Sequence, residues 1–127
     1  MFEITINDKV YGFNFGVGFV REVNKRNSQI INGIKKDVGL QYAIAAIIDK
    51  DLIETVELLL IANNGCAPRV SRALLDEYFD TQCADLDAFF EELLDFFANS
   101  NATKQMLANV QKLIEEQQAK AEAEQMK

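Results

Sequence analysis

Residues 2–26 read FEITINDKVYGFNFGVGFVREVNKR, and their order of patterns decides the fold. Phe2, Ile4 and Ile6 alternate with Glu3, Thr5 and Asn7, the period of a half-buried strand. Tyr11, Phe13 and Phe15 then alternate with Val10, Gly12 and Asn14. With Asp8-Lys9 at the tip, Ile6 pairs with Tyr11, Ile4 with Phe13 and Phe2 with Phe15, and every apolar side chain shares one face. Asn7 and Asp8 tolerate the left-handed backbone of a tight hairpin. At Gly16 the period changes: Phe19, Val20 and Val23 take one helical face, and Arg21, Glu22, Lys25 and Arg26 the other. A lone hairpin is marginal in water, so it must lie on a helical body or on another subunit.

Working outward, the segment from Asn27 to Asp37 is polar and contains Asn32-Gly33, so it reads as a loop. Its Ile30, Ile31 and Ile34 are expected to form a short helical turn capping the core. From Gly39, GLQYAIAAIID spaces Leu40, Ile44, Ile47 and Ile48 as a helix, kept thin by Ala43, Ala45 and Ala46. Asp51 with Glu54 resembles a capping box for DLIETVELLLIAN, and Asn64-Gly65 ends that helix. Pro68 is expected in the first turn of the next helix, with Val70, Leu74 and Tyr78 on one face. In the last helix Met106, Val110, Leu113 and Ile114 form a stripe; residues 119–127, AKAEAEQMK, bury almost nothing and read as a frayed or solvated end. The expectation is a mainly α (α+β) chain of 127 residues: a hairpin over 1–15, a body of five to six helices over 16–118, and an extended C-terminal helix, all in one domain.

Composition excludes more than it assigns. With 49% apolar residues the chain should fold, and no apolar run approaches a membrane span. Histidine is absent, which removes the commonest general base and metal ligand. Gly16-Val17-Gly18 is too short for a phosphate loop and reads as a strand-to-helix junction. Cys66 and Cys83 lack metal-ligand spacing and read as reduced thiols, and the opening residues carry no leader, so a cytoplasmic location is expected. Glu91-Glu92 and Glu115-Glu116 read as solvated helix faces. No enzyme, cofactor or metal is expected.

Charge divides the chain: residues 1–75 carry a net +1 and residues 76–127 a net −8. Nucleic-acid binding is therefore disfavoured; the acidic half serves solubility or attracts a basic partner.

Two stretches exceed ordinary amphipathicity. Leu58, Leu59, Leu60, Ile61 and Ala62 leave no polar face, and Phe89, Phe90, Leu93, Leu94, Phe96 and Phe97 form a wide apolar band. The first reads as core; the second fits core or subunit contact equally. More apolar surface than one small globule hides predicts self-association. The candidate interface joins Phe2, Ile4 and Ile6 of the hairpin, Leu58 and Ile61, and Phe89, Phe90, Leu93, Phe96 and Phe97.

The strand, Asn-Asp-Lys turn, aromatic second strand and Phe15–Glu22 helix start, FGVGFVRE, resemble tail assembly chaperones of long-tailed (siphovirus-type) phages and prophages of Gram-positive bacteria. Residues 32–63, NGIKKDVGLQYAIAAIIDKDLIETVELLLIAN, fit the same family; the second half agrees only in general character. The resemblance implies a non-enzymatic, self-associating helical protein of the host cytoplasm, absent from the finished tail. It would coat the tape measure protein and help recruit tail tube subunits. Members often occur in two lengths through a frameshift, and AKAEAEQMK would suit the end of a short form. The residues alone leave open a homodimeric adaptor or regulator and an acidic DNA mimic.

Overall fold

Phe2–Ile6 (β1) and Lys9–Phe13 (β2) pair antiparallel in the computed structural model, which describes residues 1–125. The register is Phe2 to Phe13, Ile4 to Tyr11 and Ile6 to Lys9, two residues from the expected one. Asn7 (φ 51°) and Asp8 (φ 64°), not Asp8-Lys9, form the turn. A two-residue loop whose central residues both have positive φ matches the strand twist, and the Asn-Asp pair adopts it more readily than a lysine would. Because the slip is even, no side chain changes face. Phe2, Ile4, Ile6, Tyr11 and Phe13 are all buried, and so is Phe15 beyond the strand.

The helices follow as Val17–Arg26 (α1), Gly39–Ile48 (α2), Leu52–Asn63 (α3), Arg72–Glu77 (α4), Leu86–Asn99 (α5) and Lys104–Gln125 (α6). Between α4 and α5 lies a π-helical turn over Tyr78–Gln82. Phe19 and Val23 are the buried face of α1, as their spacing requires. Gly39 starts α2 where any Cβ would collide with the Val23 carbonyl, so only glycine lets α2 approach α1 this closely. Asn24 Oδ1 accepts from the Leu40 amide at 3.0 Å and satisfies one orphan donor there. Asp51, Ser71 and Asp85 cap α3, α4 and α5 by accepting from the amides of Glu54, Leu74 and Ala88.

One continuous core joins the hairpin to the helices. Phe13, Phe90 and Phe97 are sealed from water; burying each such side chain stabilises the fold by about 1.5–3 kcal/mol. Phe15 packs edge-to-face on Phe19 and Phe97 with centroids 4.9 Å apart in each pair, and Phe2 meets Phe96 at 5.7 Å. The hairpin is also held by polar bonds. Asn63 is buried; its amide donates to the Gly12 and Pro68 carbonyls at 2.9 and 3.2 Å and accepts from the Val70 amide at 2.8 Å. Gln82 brackets the turn, donating to Asn7 Oδ1 at 2.9 Å and accepting from the Asn7 amide at 3.3 Å.

Several expectations need correction. The segment expected to be a loop with a capping turn is a second hairpin, Ser28–Ile31 (β3) with Ile34–Asp37 (β4), turning at Asn32 (φ 53°) and Gly33 (φ 78°). All of its strand residues are exposed, so Ile30, Ile31 and Ile34 cap nothing. Pro68 follows a cis peptide bond and precedes α4, which starts only after the Ser71 cap. The face expected to join Val70, Leu74 and Tyr78 is therefore broken: Val70 is buried ahead of the helix, and Leu75 is the buried position of α4. On α6 the inward residues are Leu107 and Val110 with Ile114 partly covered, whereas Leu113 faces out. Thr103, buried just ahead of α6, donates to the Phe97 carbonyl at 2.8 Å. Residues 119–125 continue α6 with every side chain exposed; the last two residues of the expected tail lie outside the described ones.

Candidate interaction surface

Of the ten residues singled out for an interface, eight lie inside this chain's own core. Phe2, Ile4, Ile6, Leu58, Phe89, Phe90, Leu93 and Phe97 are all buried. Ile61 and Phe96 keep partial exposure while packing against that core. The chain thus covers most of its apolar surface unaided. The helix α3 that lacked a polar face is surrounded within the chain, touching β2, α1, α2 and α4. Its outlying exposed residue is Ile53, 82% accessible, at the rim of a groove of about 350 Å³ with Leu52, Val56 and Phe79. Arg72 spans that groove and grips Glu57 through two hydrogen bonds of 2.7 and 2.8 Å. The bond holds the Glu57 carboxyl below its ordinary value of 4.5.

The densest uncovered apolar patch is the second hairpin. Ile30, Ile31 and Ile34 are 79%, 43% and 67% exposed, with half-exposed Tyr42 beside them on α2. Gln29 hydrogen-bonds the Tyr42 hydroxyl and ties the hairpin to that helix. The Val38 amide donates to the Asn27 carbonyl at 3.1 Å and closes the base of the hairpin. Opposite residues share a face, so Ile31 and Ile34 flank the turn on one side, while Ile30 lies with Lys35 on the other. Arg21 of α1 faces Lys35 across a polar cleft with Lys25 and Asp37. Lys35, Lys36 and Arg21 make no ion pair among the described residues. The patch is apolar at its tip and basic at its flank.

The opposite sign gathers on α5. Asp85, Glu91 and Glu92 rim a shallow groove of about 500 Å³ whose floor is Tyr78, Ala84, Ala88 and Phe89. Lys50 reaches this region and donates to Asp87 Oδ1 at 2.6 Å. That hydrogen bond raises the Lys50 pKa above the ordinary lysine range, with Glu91 and Asp85 adding to the field. Burial raises the Tyr78 hydroxyl, helped by Cys83 and by Glu92.

Sequence reasoning missed the isoleucine hairpin although its signal was present. Asn-Gly between β-branched residues is the strongest short hairpin pattern, and Asn32-Gly33 sits between Ile31 and Ile34. Asn63 was missed because nothing in a helix-ending Asn-Asn-Gly distinguishes a buried bracket from a cap. Among the described residues no group of three His, Cys, Asp or Glu could hold a metal ion, and no helix is long and apolar enough to cross a membrane. Cys66 and Cys83 are half-buried free thiols.

A small hairpin-plus-helices protein presenting surfaces of opposite sign fits a class that works by binding other proteins. The profile of the phage tail assembly chaperone protein (TAC) family matches residues 3–112. The chain belongs to that family and serves in phage tail assembly. No curated protein and no solved structure matches it.

Proposed function

We propose that the protein self-associates in the cytoplasm of its bacterial host and coats the tape measure protein while a tail is built. It recruits tail tube subunits to that complex, performs no catalysis and acts as one domain. The resemblance read from residues 2–26 and 32–63 supports a long-tailed, siphovirus-type phage of a Gram-positive host. The observation that carries this reading is the exposed isoleucine hairpin on a chain whose core is already complete. Three isoleucines in water on a tail assembly chaperone form a contact surface in search of a partner. Many copies engaging one long helical client gain avidity from repetition and need no deep pocket.

Co-expression with a tape measure protein tests the reading. The expected result is a complex with several chaperone copies per tape measure chain, together with oligomers of the chaperone alone in light scattering. A monomer at high concentration that fails to capture tape measure segments would refute it.

A further inference from the structure

We infer that the β3–β4 hairpin of one copy docks into the acidic groove beside α5 of the next copy. This rests on the self-association proposed above and adds which surfaces meet. The hairpin offers Ile31 and Ile34 at its tip with Lys36 behind them on the same face and Lys35 on the other, all exposed. The groove offers an apolar floor at Ala88 and Phe89 below a rim of Asp85, Glu91 and Glu92. Apolar tip meets apolar floor, Lys36 meets the carboxylate rim, and Lys35 on the other face adds positive charge to the hairpin as a whole. Neither lysine and neither glutamate of Glu91 and Glu92 is engaged in an ion pair among the described residues, so the charges are free for an intermolecular match.

Charge selects this pairing over two hairpins packing on each other through Ile31 and Ile34, which would set Lys36 against its own copy. It also favours a second copy over a neutral client in the groove, because the complementary patch is already on the chain. An isolated two-stranded hairpin is marginal in water. Here Asn32-Gly33 specifies the turn and the Val38–Asn27 bond closes the base, so the hairpin is in place before a partner arrives. The two surfaces sit on different elements, so the contact is head-to-tail. Such a contact propagates until it closes into a ring or continues as a helical filament.

Charge exchange on the full chain tests it. Lys35→Glu/Lys36→Glu reverses the hairpin, and Glu91→Lys/Glu92→Lys reverses the groove. All four side chains are exposed, and unchanged thermal melting verifies that each variant folds. Each variant alone should lose self-association by more than about ten-fold in affinity, read by light scattering. An equimolar mixture should recover large species, because each variant supplies the complement the other lacks. Lys35→Gln/Lys36→Gln, which removes charge without reversing it, should weaken association less. Reversal variants that assemble like the wild type, or a mixture that stays monomeric, would overturn the inference and leave the proposed function standing. Variants that assemble normally but no longer capture tape measure segments would overturn it too, by making the client the hairpin's occupant. A wild-type chain that never self-associates would instead sink the self-association on which both rest.

Discussion

The two hairpins of this chain are built alike and meet opposite fates. Each turns through two residues of positive φ, Asn7-Asp8 in one and Asn32-Gly33 in the other. The first buries Phe2, Ile4, Ile6, Tyr11 and Phe13; the second buries none of its strand residues. The turn makes a hairpin, and alternation decides where it goes. In β1 every apolar residue is followed by a polar one, so one face can lie on the helices. In β3, Ile30 and Ile31 are consecutive and point to opposite faces, with Lys35 beside Ile30. Docking one face on the core would leave Ile30 in water, and docking the other would leave Ile31 and Ile34. The first hairpin is therefore a wall of the core, and the second is free to serve a partner.

The first way to break that comparison is to attack the wall. Phe13→Ala, or Phe90→Ala and Phe97→Ala beneath it, should each cost about 3–5 kcal/mol in denaturant unfolding, because all three side chains are sealed. Phe90 and Phe97 replaced together by Ser should unfold the chain. A folded monomer from that double variant would return the phenylalanine band to the role of an interface.

A polar variant tests how the wall is tied down. Asn63→Ala removes three hydrogen bonds and leaves the Val70 amide without a partner, and it should cost about 2–3 kcal/mol in the same unfolding measurement. A loss below about 0.5 kcal/mol would mean that packing alone holds the hairpin.

The opposing prediction concerns the free hairpin. Ile30→Ser should change unfolding stability by less than about 0.5 kcal/mol, as an exposed position does, whereas Ile4→Ser should cost several times more. Equal losses at the two sites would erase the distinction between wall and docking surface.

The smallest effect is one of pH. The Arg72 hydrogen bond lowers the Glu57 pKa in the folded chain, so its stabilising contribution is present above the ordinary value of 4.5. It declines as pH falls through the folded value. Glu57→Gln should therefore flatten the acid side of the stability profile slightly, since the pair is solvent-exposed. An unaltered profile would show that the pair contributes nothing.

How much of this was legible follows from the range over which each residue acts. Phe2 to Phe15, Leu40 to Ile48 and the Asp51 cap act locally, through period and spacing, and their elements stand where the pattern puts them. The exact register of the first hairpin was not legible, because a two-residue shift preserves every face and only turn strain discriminates. The rotation of α6, which turns Leu107 and Val110 inward and Leu113 out, rests on packing against other helices that periodicity does not encode. Whether the phenylalanine band is covered by the chain itself was not legible for a related reason. A wide apolar band such as Phe89–Phe97 looks the same whether a sister subunit or the chain's own hairpin covers it. The folded chain supplies β1, whose Phe2 packs on Phe89 and Phe96.

The account turns on the second hairpin being expendable for folding and required for assembly. Light scattering behind size exclusion, paired with thermal melting, measures both on the Ile30→Ser/Ile34→Ser variant. The expected result is an unchanged melting curve and a mass reduced to that of one chain. A wild-type-sized assembly, or a variant that no longer folds, would contradict it.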